Sequence, residues 1–331
     1  MNKLSDIFGQ DAVIAKLRGA MAADRLAHGL IFSGPSGVGK ATCASALGAF
    51  FLCENPRKAD ACGTCQSCQA IAAGSHPDFH IITRELARVY DKSGKSKATL
   101  LPIEVIRHAV AEPAGRKTVL GRGKVFIIEQ AELMTAQAQN ALLKTLEEPA
   151  GRTLIILLTT NANELLPTIR SRCQIFRFAP LKTDVVVAEL KRRGVDAETA
   201  TTAAELADGS LGAALRWIED DVLGTARDVA GAVDLALSGK GNDLADLVRK
   251  AADVYAQKYL DRDELASKDS AMREGLVMYL GIAARRMRGK LAESNVTERA
   301  CSVIEAIARA EKYLDANVNV AIVMEQLAGT V

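Results

Sequence analysis

Aromatic residues are scarce in this 331-residue chain, at 4% with a single tryptophan, which argues against a surface built to stack nucleic-acid bases. An excess of one charge sign is also missing. Lys and Arg number 42 against 40 Asp and Glu, a formal net charge of +2. A chain that wraps a polyanion by itself carries a stronger basic bias, so any polyanion contact has to be a local patch or shared with partners. The longest aliphatic stretch, Leu154 to Leu158, is far shorter than the roughly 20 residues of a membrane span. The opening MNKLSDIFGQD has no apolar h-region and no small-residue cleavage site, so no signal peptide is read and a cytoplasmic location is expected. There is no internal repeat and no low-complexity tract.

What is present is ordinary globular material, 49% hydrophobic and 25% charged, in a length that suits about two to three domains. The first half alternates apolar runs with helical patterns. His28 to Phe32, Lys124 to Ile128 and Thr153 to Thr160 are strand-like. Lys40 to about Leu52 reads as a helix, as does Thr135 to Glu148, where Ala138, Leu142, Leu143 and Leu146 recur at helical spacing before Pro149. Continuous apolar strands between helices predict a parallel sheet covered on both faces. Beyond Pro180 the chain turns Ala/Leu/charged-rich without a strand pattern, which predicts helical bundles with a soft boundary near Asp221. Asp91 to Lys97 reads as an exposed loop.

Gly34-Pro35-Ser36-Gly37-Val38-Gly39-Lys40 follows an apolar strand and opens a helix, the context a phosphate-binding loop requires. Gly34, Gly37 and Gly39 let backbone N–H groups face a phosphate, the helix start adds its dipole, and Lys40 adds a charge. A purely structural glycine turn is the bland alternative. Two chemical parts are altered. The hydroxyl residue that holds Mg²⁺ after the lysine is Ala41, and Thr42 is rotated about 100° around the helix. At the end of the strand Val125 to Ile128, where an Asp and then a Glu belong, stand Glu129 and Gln130. Glu129 retains a carboxylate; Gln130 is no base. The pattern is that of a nucleotide-binding fold that has lost, or nearly lost, hydrolysis.

Cys53, Cys62, Cys65 and Cys68 follow the spacing C-x₈-C-x₂-C-x₂-C. Two-residue gaps let thiolates converge on one ion, and four sulfurs satisfy tetrahedral, structural Zn²⁺ with no open position for catalysis. An iron–sulfur cluster or redox use is the alternative, and His76 is an alternative ligand to Cys53. Cys43, Cys173 and Cys301 are isolated.

Several motifs together resemble one family. Phe8-Gly9-Gln10, Leu26-Ala27-His28, Phe32-Ser33-Gly34-Pro35, the four cysteines and Gly74-Ser75-His76-Pro77-Asp78 are followed by the stretch Asn140 to Pro149 (NALLKTLEEP) and by Leu166 to Cys173 (LPTIRSRC). These resemble the bacterial DNA polymerase III clamp-loader subunits, which belong to the AAA+ ATPases. The similarity covers residues 8 to 173 and continues weakly to Asn317-Val318-Asn319. It implies an α/β fold: an AAA+ P-loop parallel-sheet domain with an inserted zinc module (1–178), a small helical lid (179–221) and an all-α C-terminal collar for oligomerisation (222–331).

The family has motor subunits that hydrolyse ATP and a stator that does not. Ala41, Gln130 and Gly212, which stands where motors place a phosphate-sensing Arg, all match the stator. Ser171-Arg172-Cys173 is intact, and the resemblance implies Arg172 as an arginine finger acting in trans on a neighbour's ATP. The implied partners are the motor (gamma/tau) and delta subunits through the collar, and the sliding clamp and primed DNA through the complex. Nucleotide in the degenerate loop (Gly34, Gly37, Gly39, Lys40, Glu129) is left open.

Bland readings stand beside these. Arg172 is otherwise a helix-surface arginine, with Arg170 in a supporting role. Thr159, Thr160 and Asn161 are a polar sensor or helix caps. Lys144, Glu147 and Glu148 are a solvated face or a subunit contact. Arg285, Arg286, Arg288 and Lys290 are a solvated face or subunit contact rather than a DNA site. The rivals to the stator are an active ATPase, either a motor subunit or a related AAA+ enzyme, and a zinc-dependent adaptor with a relic loop.

Overall fold

The computed structural model describes residues 3–23, 25–57, 60–90, 100–237, 244–262, 267–290, 297–315 and 318–329. The expected loop Asp91 to Lys97 lies outside the described residues, as does Asn317. The chain divides into two compact units, Met1–Val185 and Val186–Val331.

The first unit is built on five parallel strands: β1 (Gly29–Ser33), β2 (Phe79–Ile82), β3 (Lys124–Ile128), β4 (Thr153–Thr159) and β5 (Gln174–Arg177), in the order β2-β3-β4-β1-β5. The three central strands are the apolar runs legible in the sequence. Side chains alternate across a strand, and here both faces are covered. Leu30, Phe32, Val125, Ile127, Leu154, Ile156 and Leu158 join one core cluster, while Ile31, Phe126, Ile128, Ile155 and Leu157 join the other. This is the parallel sheet covered on both faces that the apolar runs predict.

The helix Lys40–Leu52 runs from the loop after β1 and has eight buried residues. A helix apolar all round has to be enclosed, and it lies in the cluster with Leu30 and Phe32 through Cys43, Ala44, Ala46, Leu47 and Leu52. On the other face, the helix Ala136–Glu147 packs Ala138, Leu142 and Leu146 against Ile31 and Ile155. Thr135 caps it, its hydroxyl accepting from Ala138 N at 3.2 Å.

The second unit is helical among its described residues, from Ala197–Ala207 and Leu211–Glu219 through Leu223–Leu237, Leu244–Arg262, Lys268–Lys290 and Thr297–Asp315 to Val320–Ala328. Three of these helix starts carry side-chain caps. Asp196 accepts from Glu198 N and Thr199 N, Ser210 from Ala213 N, and Asn319 from Ala321 N. Asp221 takes a left-handed conformation (φ 51) between Leu211–Glu219 and Leu223–Leu237. Lys258 Nζ donates to the Asp220 carbonyl there at 2.7 Å. Arg285 lies over the Trp217 ring at 5.7 Å and Arg286 forms a two-pronged pair with Asp234 at 3.0 and 2.6 Å. Arg285 and Arg286 are therefore engaged in internal contacts.

Candidate functional site

The loop after β1 is shaped by glycine where nothing else fits. Gly34 has φ 151, and a Cβ there would collide with the carbonyl of Phe178. Gly39 has φ 100 and stands immediately before the helix Lys40–Leu52. Lys40 is buried, and its ammonium donates to the carbonyls of Gly34 at 2.5 Å and Pro35 at 2.7 Å. Burial lowers its pKa, and the nearby Glu132 carboxylate partly offsets this. Ala41 is exposed and offers no oxygen; Thr42 follows it on the helix.

Two carboxylates and an amide follow β3. Glu129 directly follows β3 and is half-buried, and burial followed by repulsion from Glu85 raises its pKa. Gln130 is exposed in a left-handed conformation (φ 49). Glu132 is the carboxylate felt by Lys40. Its Oε1 accepts from Thr160 N at 3.1 Å and Thr160 Oγ1 at 2.8 Å, while its buried Oε2 has no hydrogen-bond partner. Sequence spacing pointed to Glu129; Glu132 sits three residues later, on the short turn Ala131–Leu133, and no motif marks it. Thr160 thus bonds a carboxylate, while Asn161 caps the turn Ala162–Glu164 by accepting from Asn163 N at 3.0 Å.

Gln10 is a second residue without a sequence-level role. It is 4% exposed, its amide donates to Ala179 O at 2.7 Å and Val38 O at 3.4 Å, and its Oε1 accepts from Ala179 N at 3.3 Å. The glutamine ties the phosphate loop to the segment that follows β5. Phe8-Gly9-Gln10 was legible as a family motif, but its contact is 169 positions away.

The four cysteines form one cluster at the far end of the loop's helix, since Cys53 directly follows Leu52. Their Sγ atoms all lie within 4.8 Å of one another, with Cys53–Cys65 at 4.0 Å and Cys62–Cys68 at 3.9 Å. Tetrahedral Zn²⁺ with bonds near 2.3 Å places sulfurs about 3.8 Å apart, so the donor set fits a metal ion. Backbone N–H groups already point at the sulfurs. Cys62 Sγ accepts from Thr64 N at 3.5 Å and Cys65 N at 3.4 Å, Cys53 Sγ from Cys62 N at 3.2 Å, and Cys65 Sγ from Cys68 N at 3.5 Å. The donors to Cys62 Sγ, Thr64 N first and then Cys65 N, pull the Cys62 pKa down to about 5. Burial pushes Cys53 and Cys68 up.

His76 is engaged elsewhere. Its Nδ1 accepts from Asp78 N at 3.0 Å, so Nε2 carries the proton and donates to Ser67 Oγ at 2.7 Å. Both ring nitrogens serve the protein frame, and the group that could hold a metal ion is the four cysteines.

Arg172 follows the short helix Pro167–Arg170 and is partly exposed at 37% of its side chain. Its Nε and Nη2 both donate to Glu147 Oε1, at 2.7 and 2.5 Å, and Nη1 donates to Thr168 O at 3.1 Å and Ser171 Oγ at 3.2 Å. Arg170 instead bonds Asn163 Oδ1 at 2.9 Å. Within the first unit the structure therefore shows three separate groups: the phosphate loop with Glu132, the cysteine cluster, and Arg172 with Glu147. Gly212 belongs to the second unit, in the first turn of Leu211–Glu219. Among the described residues no helix is long and apolar enough to cross a membrane.

The sequence model of the family described as "DNA polymerase III, delta subunit" matches residues 9–182. The delta' subunit of Pseudomonas aeruginosa is 37% identical over 180 residues, which is 54% of this chain and 51% of that protein. The chain thus spans about half the length of that relative. The delta' subunit of Bacillus subtilis is 27% identical over 325 residues, 96% of this chain and 94% of that protein. A gamma/tau subunit of Mycoplasma pneumoniae is 33% identical over 215 residues, 63% of this chain and 29% of that protein.

Proposed function

We propose that this chain, which belongs to the DNA polymerase III delta-subunit family, is the delta-prime stator of a bacterial clamp loader. In this reading it hydrolyses no ATP itself. It holds a heteropentameric complex together in the cytoplasm, helps load the ring-shaped sliding clamp at primed DNA, and presents Arg172 to the ATP of a neighbouring motor subunit. Residues 1–178 form the nucleotide-binding-like domain, 179–221 the lid, and 222–331 the collar that joins gamma/tau and delta. The cysteine cluster holds a structural Zn²⁺, because four thiolates close the coordination sphere.

The observation that carries the reading is a phosphate loop retaining its glycines and Lys40 while Ala41 and Gln130 replace the metal-holding hydroxyl and the water-orienting acid. Without these parts, positioning and charge stabilisation of the transferring phosphoryl group fail. An arginine supplied in trans acts on another subunit's nucleotide, so losing one's own site costs that role nothing. The similarity to gamma/tau subunits keeps one rival, an active motor.

ATP hydrolysis decides between them. The purified chain is assayed alone and in complex with gamma/tau and delta, beside Lys40→Ala and Arg172→Ala. No turnover alone, with turnover in the complex that falls on Arg172→Ala, supports the stator. Turnover by the chain alone that disappears with Lys40→Ala makes it a motor.

A further inference from the structure

We infer that Glu147 is the positioning residue for Arg172, an inference that rests on Arg172 acting as a finger in trans. A guanidinium has five N–H donors, and in Arg172 they are used unequally. The Nε–Nη2 edge meets one carboxylate oxygen of Glu147 at 2.7 and 2.5 Å. The Nη1 group meets two uncharged oxygens, Thr168 O and Ser171 Oγ, at 3.1 and 3.2 Å. Charge-assisted bonds are shorter and roughly twice as strong as neutral ones. A phosphate arriving from a neighbour therefore displaces the Nη1 contacts and leaves the Glu147 pair standing. The Nη1–Nη2 end of the fork then faces the phosphate, while Glu147 holds the other edge and fixes the direction of the long side chain.

Glu147 is well placed for this because its frame is rigid. It ends the helix Ala136–Glu147, directly after Leu146, which is 1% exposed. The Leu146 carbonyl accepts from His28 Nε2 at 2.5 Å. At the other end of that helix, Gln139 Oε1 accepts from Leu166 N at 2.8 Å, just before the helix Pro167–Arg170. Leu142, Leu146, Leu165 and Ile169 share one core cluster. The carboxylate and the arginine thus project from two segments packed and bonded to each other. This gives Glu147, at the charged end of the Asn140–Pro149 stretch, a task.

The test uses the full chain assembled with gamma/tau and delta, with assembly confirmed by size exclusion, and reads kcat and KM of DNA-stimulated ATP turnover. Arg172→Ala lowers kcat. Glu147→Ala is expected to lower kcat by about ten- to a hundredfold with little change in KM, as misplacement of a positioned group does. Glu147→Gln, whose amide oxygen still accepts from Nε, recovers part of the loss. The double variant is expected to match Arg172→Ala alone, because Glu147 acts only through that arginine. Unchanged or raised turnover in Glu147→Ala overturns the assignment, as does a further loss in the Arg172→Ala background. An inert Arg172→Ala instead removes the finger reading, and the role of Glu147 with it.

Discussion

Gln10 and Ala179 exchange hydrogen bonds across 169 positions, the glutamine amide donating to the alanine carbonyl at 2.7 Å and accepting from its N–H at 3.3 Å. One buried side chain thus satisfies both backbone groups of a residue just beyond β5, and it also reaches Val38 in the phosphate loop.

Replacing Gln10 by Ala strands those backbone groups. Leaving buried polar groups unpaired costs about 1–3 kcal/mol. The variant should unfold at lower denaturant concentration than the wild-type chain. An unchanged midpoint would show that water replaces the amide without penalty.

Metal removal is expected to act locally. Elemental analysis should find about one zinc per chain, the count a closed four-thiolate site holds, and Cys65→Ser should lose it. Heating should then melt the first unit earlier while the helical second unit, Val186–Val331, keeps its circular-dichroism signal. Full metal content in the serine variant would rule out the cysteine cluster as the site.

The pH dependence follows from two histidines. Burial is the main cause that lowers His76 below its ordinary 6.5, with Asp78 opposing, and burial likewise lowers His80, which stacks on Phe126 at 4.9 Å. The folded chain holds both rings neutral, whereas the unfolded chain takes up protons at about 6.5. Their contribution to stability is therefore complete above pH 6.5 and is lost as pH falls from there toward the lowered folded values. Glu129, raised by burial, has the opposite sign. The difference between wild type and His76→Gln isolates the His76 share: the denaturation midpoint of the variant should fall less between pH 7.5 and 5.5. Parallel curves would count against a buried neutral His76.

Much of this protein was settled locally along the chain. β1, β3 and β4 are buried along nearly their whole length, so continuous Ile/Leu/Val runs betray them whatever their neighbours. Thr135 and Pro149 bracket their helix by cap and breaker chemistry, and two-residue gaps bring thiols together almost regardless of the fold. β2 and β5 escaped notice because edge strands of four residues with mixed burial carry too little pattern. The tertiary structure alone decided which groups meet. Glu132 rather than Glu129 biases Lys40, His76 turns to Ser67 rather than to the cysteines, and Glu147 grips Arg172 from 25 positions away. Such pairings depend on where packed elements bring side chains in space, and side-chain electrostatics and hydrogen bonds act over a few ångströms whatever the separation along the chain.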